Sequence, residues 1–276
     1  MNGGKHDHDH GLAHDLGRML ERPLVRRRAL GLIAAGGTVA AAGLAGRLVP
    51  AAAAGPGSAA CVAFPEETAG PFPANGSRGW GGTPPDVLGT SGIVRSDICA
   101  SFAGRAGRAV GVPVTLTLQL ARSARGCAGL AGHAVYLWQC DAAGRYSLYT
   151  VASENYLRGV QATDGQGRAT FRTIFPAAYD GRFPHMHIAV YRSLAEAAAH
   201  KRPLLTSQLA MPRAVAETVY RDAGLYGASG ANLRDLDLAS DYVFRDNDPR
   251  QMAAMTVAMT GSVATGYAAT AVVGVA

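Results

Sequence analysis

From Val112 onward, apolar residues at Val112, Val114, Leu116, Leu118 and Leu120 alternate with Pro113, Thr115, Thr117 and Gln119. That period of two belongs to a strand with one buried face. Further apolar or alternating runs read as strands at Ala134–Cys140, Ala169–Phe175, Met186–Tyr191, Tyr242–Phe244, Met255–Thr260 and Tyr267–Val275, with turn material at Asp141–Gly144 and Asp164–Gly167 between them. Helical spacing is confined to Leu194–His200 and to Ala214–Asp222, which Pro212 opens. Strands this dense with so few helices predict an all-β fold, an antiparallel β-sandwich of two sheets with a few short helices. Residues 55–110, rich in Gly, Pro and Ser, read as an extended N-terminal arm wrapping a core at 111–276.

The first 54 residues have another character. Arg26, Arg27 and Arg28 precede an apolar, Gly/Ala-rich stretch, Ala29–Gly46, and small residues follow at Ala51–Ala54. This is the layout of a secretory signal, and the paired arginines point to the twin-arginine export machinery as a partner. The alternative for the same stretch is a retained membrane anchor. The expected location is outside the cell or at its envelope. His6, His8 and His10 precede the cleavage region and read as part of a solvated leader.

Charge removes one class of partner. The net charge is +6, but residues 1–54 hold seven Lys/Arg against four Asp/Glu, leaving 19 against 16 beyond. A surplus of three gives no basic stripe for a phosphate backbone, so nucleic acid is excluded as a partner. Cys61, Cys99, Cys127 and Cys140 all fall after the leader, and an even count in an exported chain favours disulfides.

His185 and His187 stand at i and i+2 in a strand, so both imidazoles project from one face while Met186, Ile188 and Val190 take the other. Three metal readings follow. A cupin-type site wants a Glu three or four residues after the second His, where Val190 and Tyr191 stand. A catalytic zinc site, as in a hydrolase, needs a third ligand from His133, His200 or a carboxylate. Ferric iron, a hard cation, would recruit tyrosines, because a bound metal deprotonates a phenol. A noncatalytic β-sandwich binding module is the remaining alternative.

The segment from Phe171 to His187, with Pro176-Ala-Ala-Tyr179 and Arg182-Phe-Pro-His185-Met-His187, resembles the intradiol ring-cleavage dioxygenases, most nearly their exported bacterial subgroup. The likeness extends to Gly144-Arg-Tyr146, Leu157–Asp164, Pro65–Phe72, Val94–Asp97 and Thr206-Ser-Gln208, covering essentially residues 60–275. The resemblance implies that Tyr146, Tyr179, His185 and His187 ligate one Fe(III), that Arg182 stabilises charge developing on the substrate ring, and that Gln208 assists beside it. It implies a catechol-type diol and O2 as substrates and a muconate-type diacid as product, with Tyr179 the ligand that leaves as the diol binds. The short interval between Tyr179 and His185 leaves the particular catechol open, and the lack of N-terminal dimerisation helices leaves the oligomeric state open. Similar sequences also pair the equivalents of Cys127 and Cys140, which flank the Ala131–Gln139 segment; Cys61 with Cys99 follows by elimination.

Overall fold

The computed structural model describes residues 62–77, 84–179 and 181–276. The leader, its Ala29–Gly46 stretch and Cys61 lie outside them. Two sheets stack. In the first, β1 (Pro113–Arg122) is central: it pairs antiparallel with β5 (Arg168–Ile174), touches the short β2 (Ala128–Gly129) at its end, and runs parallel to β9 (Gly266–Val275), which continues to β8 (Ala258–Ser262). The second sheet has the order β4 (Arg158–Ala162), β3 (Ala134–Trp138), β6 (His185–Tyr191), β7 (Leu205–Ala210), all antiparallel. The fold is therefore an all-β sandwich, with the β1–β9 pair as one departure from the purely antiparallel expectation.

The alternation in β1 does what its period requires. Val114, Leu116, Leu118 and Leu120 are buried, with Thr115 on the solvent side. Opposite them, Val135, Leu137, Met186, Ile188, Val190 and Leu209 close the same core. Each such side chain contributes about 1.5–3 kcal/mol by leaving water.

The second sheet is buried on its other face as well, since every residue of β3 and β6 is covered. The cover is the arm. Tyr136 donates its hydroxyl to the Pro73 carbonyl at 2.7 Å, Arg158 donates to the Phe72 carbonyl at 3.0 Å, and Glu67 N–H donates to Thr206 O at 2.8 Å. Its described residues form no helix or strand and attach through single bridges, among them Ala63 to Gly274, Val94 to Val160 and Asp97 to Arg172.

Among the described residues, five short α-helices decorate the sandwich: α1 (Leu194–Ala198), α2 (Arg213–Val219), α3 (Ala223–Tyr226), α4 (Ser229–Arg234) and α5 (Pro249–Met255). One strand expectation fails here and another, Met255–Thr260, holds only from Ala258 onward. Tyr242–Phe244 is a turn, because the Asp241 carboxylate accepts the N–H groups of Val243 at 2.8 Å and Phe244 at 3.3 Å and so withdraws them from any ladder. Met255 closes α5, whose Asp248/Gln251 capping box starts a helix where an apolar run reads as a strand; β8 begins only at Ala258. Among the described residues no helix is long and apolar enough to cross a membrane.

The expected cysteine pairing is also corrected. Cys127 is disulfide-bonded, while Cys99 and Cys140 are free thiols. Cys140 is sunk in the interior with its sulfur 3.7 Å from the Ala177 carbonyl, and Cys99 lies buried against the Arg172 carbonyl at 3.7 Å. Cys127, by contrast, sits in the exposed β1–β2 turn at φ +67°.

Candidate metal centre

The covered face of the second sheet carries a row of side chains set by register: Arg158 on β4, Trp138 on β3, His187 on β6 and Gln208 on β7 stand opposite one another in turn. Directly paired residues project to the same side. Trp138 stacks on His187 at 5.0 Å and 9° between planes, and Tyr136 stacks on Trp138. Behind His187 the arm makes a close approach: Gly70 has φ +68°, and a Cβ there would come within 3.2 Å of His187 Cε1. Indole and arm backbone together fix that ring.

The tyrosines arrive on loops. After β3, the Asp141 carboxylate accepts the N–H groups of Ala143 and Arg145, both at 2.9 Å, and this turn throws Tyr146 back over the sheet. Phe72 stacks on the Tyr146 ring at 4.7 Å. Tyr179 follows β5, where Ala178 is held by Ser229 and Asn232 of α4.

The four side chains converge. Tyr146 Oη lies 3.3 Å from Tyr179 Oη and 3.2 Å from His187 Nε2; Tyr179 Oη lies 3.0 Å from His185 Nε2; and the two Nε2 atoms are 3.2 Å apart. Donor atoms held about 2 Å from one ion at angles of 90–109° are separated by about 2.8–3.3 Å. The ring of four donor atoms fits that spacing at every edge.

Protonation fits as well. His185 donates Nδ1–H to the Phe183 carbonyl at 2.6 Å, since a carbonyl can only accept, which leaves the Nε2 lone pair facing the ring. Burial first, then the nearby Arg182 charge, pushes both imidazoles well below their usual range and keeps them neutral. Burial raises both phenols well above theirs. Two neutral imidazoles and two phenols that only a strong positive charge would ionise form a donor set for a hard cation.

Arg182 lies at the edge of the ring, almost wholly buried. It donates Nε–H to Asp241 at 3.0 Å and Nη2–H to Gln208 Oε1 at 2.6 Å, with its guanidinium 4.9 Å from the centre of the Tyr242 ring. Gln208 in turn donates to Thr68 O at 3.0 Å. All six residues singled out by sequence thus occupy one locus. Arg158, Trp138 and Asp241 were not singled out; the only signal for Asp241 is an Asp ahead of an apolar run, a common Asx-turn start.

The other two described histidines are elsewhere. His133 Nδ1 faces the Ala131 carbonyl at 3.0 Å in the turn before β3, and His200 pairs with Asp86 at 3.1 Å. Among the described residues no group of three or more His, Cys, Asp or Glu side chains is placed to hold a metal. Among the described residues the zinc alternative therefore finds no third His or carboxylate ligand.

Glu67 gives a pH prediction. Burial raises its carboxyl to about 7 from 4.5, outweighing the hydrogen bond from Asn247. The folded state then binds more protons than the unfolded one between those values, so this group makes stability fall as pH rises through 4.5 to 7. Glu67→Gln should flatten that slope and raise Tm at pH 8 by roughly 2–4 °C, equivalent to about 1 kcal/mol once partial exposure is allowed for. Thermal unfolding of both forms at pH 5 and pH 8 checks it; an equal pH dependence contradicts it.

Comparison with known proteins agrees with this architecture. Residues 97–204 match a family model described as Dioxygenase. An intradiol ring-cleavage dioxygenase from Tetranychus urticae has the same fold at 21% identity and TM-score 0.56, over 78% of this chain and 94% of that one. A second solved dioxygenase aligns with TM-score 0.58 at the same identity and coverage. The dioxygenase domain of a carbohydrate-binding fusion from Streptomyces sp. SirexAA-E aligns at 22% identity over 78% of this chain and 100% of that one, with TM-score 0.47. No curated protein matches the chain. The dioxygenase match spans the segment that carries Tyr146, Tyr179, His185 and His187, and the sandwich around it has the fold of the solved intradiol ring-cleavage dioxygenase.

Proposed function

We propose that Tyr146, Tyr179, His185 and His187 hold one Fe(III) and that the chain uses O2 to open a catechol-type ring between its hydroxyls, giving a muconate-type diacid. The closed ring of four donor atoms at 3.0–3.3 Å carries this reading. Fe(III) bound there supplies the Lewis acidity that ionises phenols and diol hydroxyls and the electron demand that opens an aromatic ring to O2.

The chain's own groups divide the remaining work. His185 and His187 are neutral anchors on a rigid strand. Tyr146 is wedged under Phe72 and stays in place. Tyr179 is the less enclosed of the two tyrosines, so its phenolate is the base that takes a proton from the incoming diol. Arg182 puts a fixed positive charge where the diolate ring becomes electron-rich, and Gln208 holds it to the arm. Phe72, Trp138 and the arm exclude bulk water from the buried side.

The same proposal places the enzyme outside the cytoplasm through the twin-arginine route. Arg26–Arg28 and Ala29–Gly46 lie outside the described residues, and the support is their sequence together with the disulfide at Cys127. The test of the centre is a visible spectrum. Iron-loaded protein should be coloured by tyrosinate-to-Fe(III) absorption that shifts on adding catechol without O2; a colourless protein carrying one iron per chain would refute the ligand set.

A further inference from the structure

Two guanidinium groups are buried beside the four-donor ring, and they are neutralised differently. Arg158 is bound by neutral acceptors only: Ser147 Oγ, the Ser147 and Phe72 carbonyls and the Tyr136 hydroxyl. Arg182 has a carboxylate. Its Nε is 3.0 Å from Asp241 Oδ2, with side-chain exposures of 2% and 0%.

Asp241 is itself over-determined. Oδ2 also accepts the N–H of Phe183 at 2.7 Å, and Oδ1 accepts those of Val243 and Phe244. Its position is thus set by backbone on both sides, in β6's entry loop and in the turn after α4, independently of Arg182. A carboxylate locked in that way can dictate where a flexible arginine points. Tyr242, next in sequence, covers the guanidinium face, and Gln208 takes Nη2. The Phe183 contact matters further, because the Phe183 carbonyl is the group that sets the His185 tautomer.

We propose that Asp241 is the positioning residue of this site: it fixes the plane and direction of Arg182 toward the four-donor ring and, through Phe183, couples the arginine to His185. The proposal rests on the functional reading above only for what Arg182 does once aimed. Asp241 touches no substrate and transfers no proton.

A double-substitution cycle on Arg182 and Asp241 tests it, read in two ways. The first is turnover of iron-loaded enzyme. Asp241→Asn should lower kcat by on the order of 10- to 100-fold with KM changed less than threefold, because a misplaced charge is felt in the transition state more than in binding. In an Arg182→Gln background the same substitution should lower kcat less than twofold. The second reading needs no iron. Each single substitution should lower the urea midpoint of the iron-free protein by stranding one buried charge, and the double substitution should recover most of that loss. Equal loss of kcat from Asp241→Asn in both backgrounds would overturn the proposal, as would additive midpoints. If the unsubstituted enzyme opens no catechol, the functional reading falls, and additivity or recovery of the urea midpoints still decides whether Asp241 holds Arg182.

Discussion

Replacing His185 by alanine is expected to strip the protein of iron. The imidazole is one of two neutral donors, its Nε2 lies 3.0 Å from Tyr179 Oη and 3.2 Å from His187 Nε2, and its Nδ1–H is spent on the Phe183 carbonyl. Among the described residues no other histidine can take its place, since His133 and His200 lie in other parts of the fold. Removing a carboxylate or carbonyl behind a metal-bound histidine already weakens affinity about 10- to 100-fold, so loss of the ligand itself should exceed that. Iron per chain after gel filtration should drop from near one to near zero, with the circular dichroism spectrum unchanged. Retention of stoichiometric iron would remove His185 from the ligand set.

Replacing Arg158 by methionine should produce the largest loss of stability. The side chain is fully buried on β4 and makes four hydrogen bonds, to Ser147 Oγ at 3.1 Å, Ser147 O at 2.8 Å, Phe72 O at 3.0 Å and Tyr136 Oη at 3.1 Å. Through these it ties the arm, the Tyr146 loop and β3 together. Methionine fills part of the volume but leaves buried acceptors unpaired, each worth about 1–3 kcal/mol. With partial relaxation, a loss of about 3–5 kcal/mol and a fall in Tm of roughly 10 °C follow. Arg158→Lys keeps the charge without the planar fork and should fall between. A change under 2 °C for the methionine variant would contradict the keystone role.

These two residues mark the limits of what sequence discloses. The His185/His187 pair is visible because a strand's period of two is a local rule, and the β1 alternation is visible for the same reason. Tyr146 and Tyr179 have no local signature; they come from family likeness, and their convergence depends on two loops fixed by Asp141 and by α4. Arg158 and Asp241 were hidden because their meaning lies in partners far along the chain. Arg158 joins the row through strand register with Trp138, and Asp241 meets Arg182 across 59 positions. The apolar run Tyr242–Phe244 misled because burial alone cannot distinguish strand from turn; the capping carboxylate at Asp241 decides it. The parallel β1–β9 pairing likewise follows from chain closure rather than any local pattern. The cysteine pairing failed because Cys140 is needed in the core, against Ala177.

The fate of labelled oxygen tests the proposed ring cleavage most directly. Iron-loaded protein given catechol under 18O2 should yield a ring-opened diacid cut between the two hydroxylated carbons, with both labelled atoms incorporated and no external reductant consumed. A product bearing an aldehyde, cut beside the hydroxyls, or turnover that requires Fe(II), would contradict intradiol cleavage at a ferric centre.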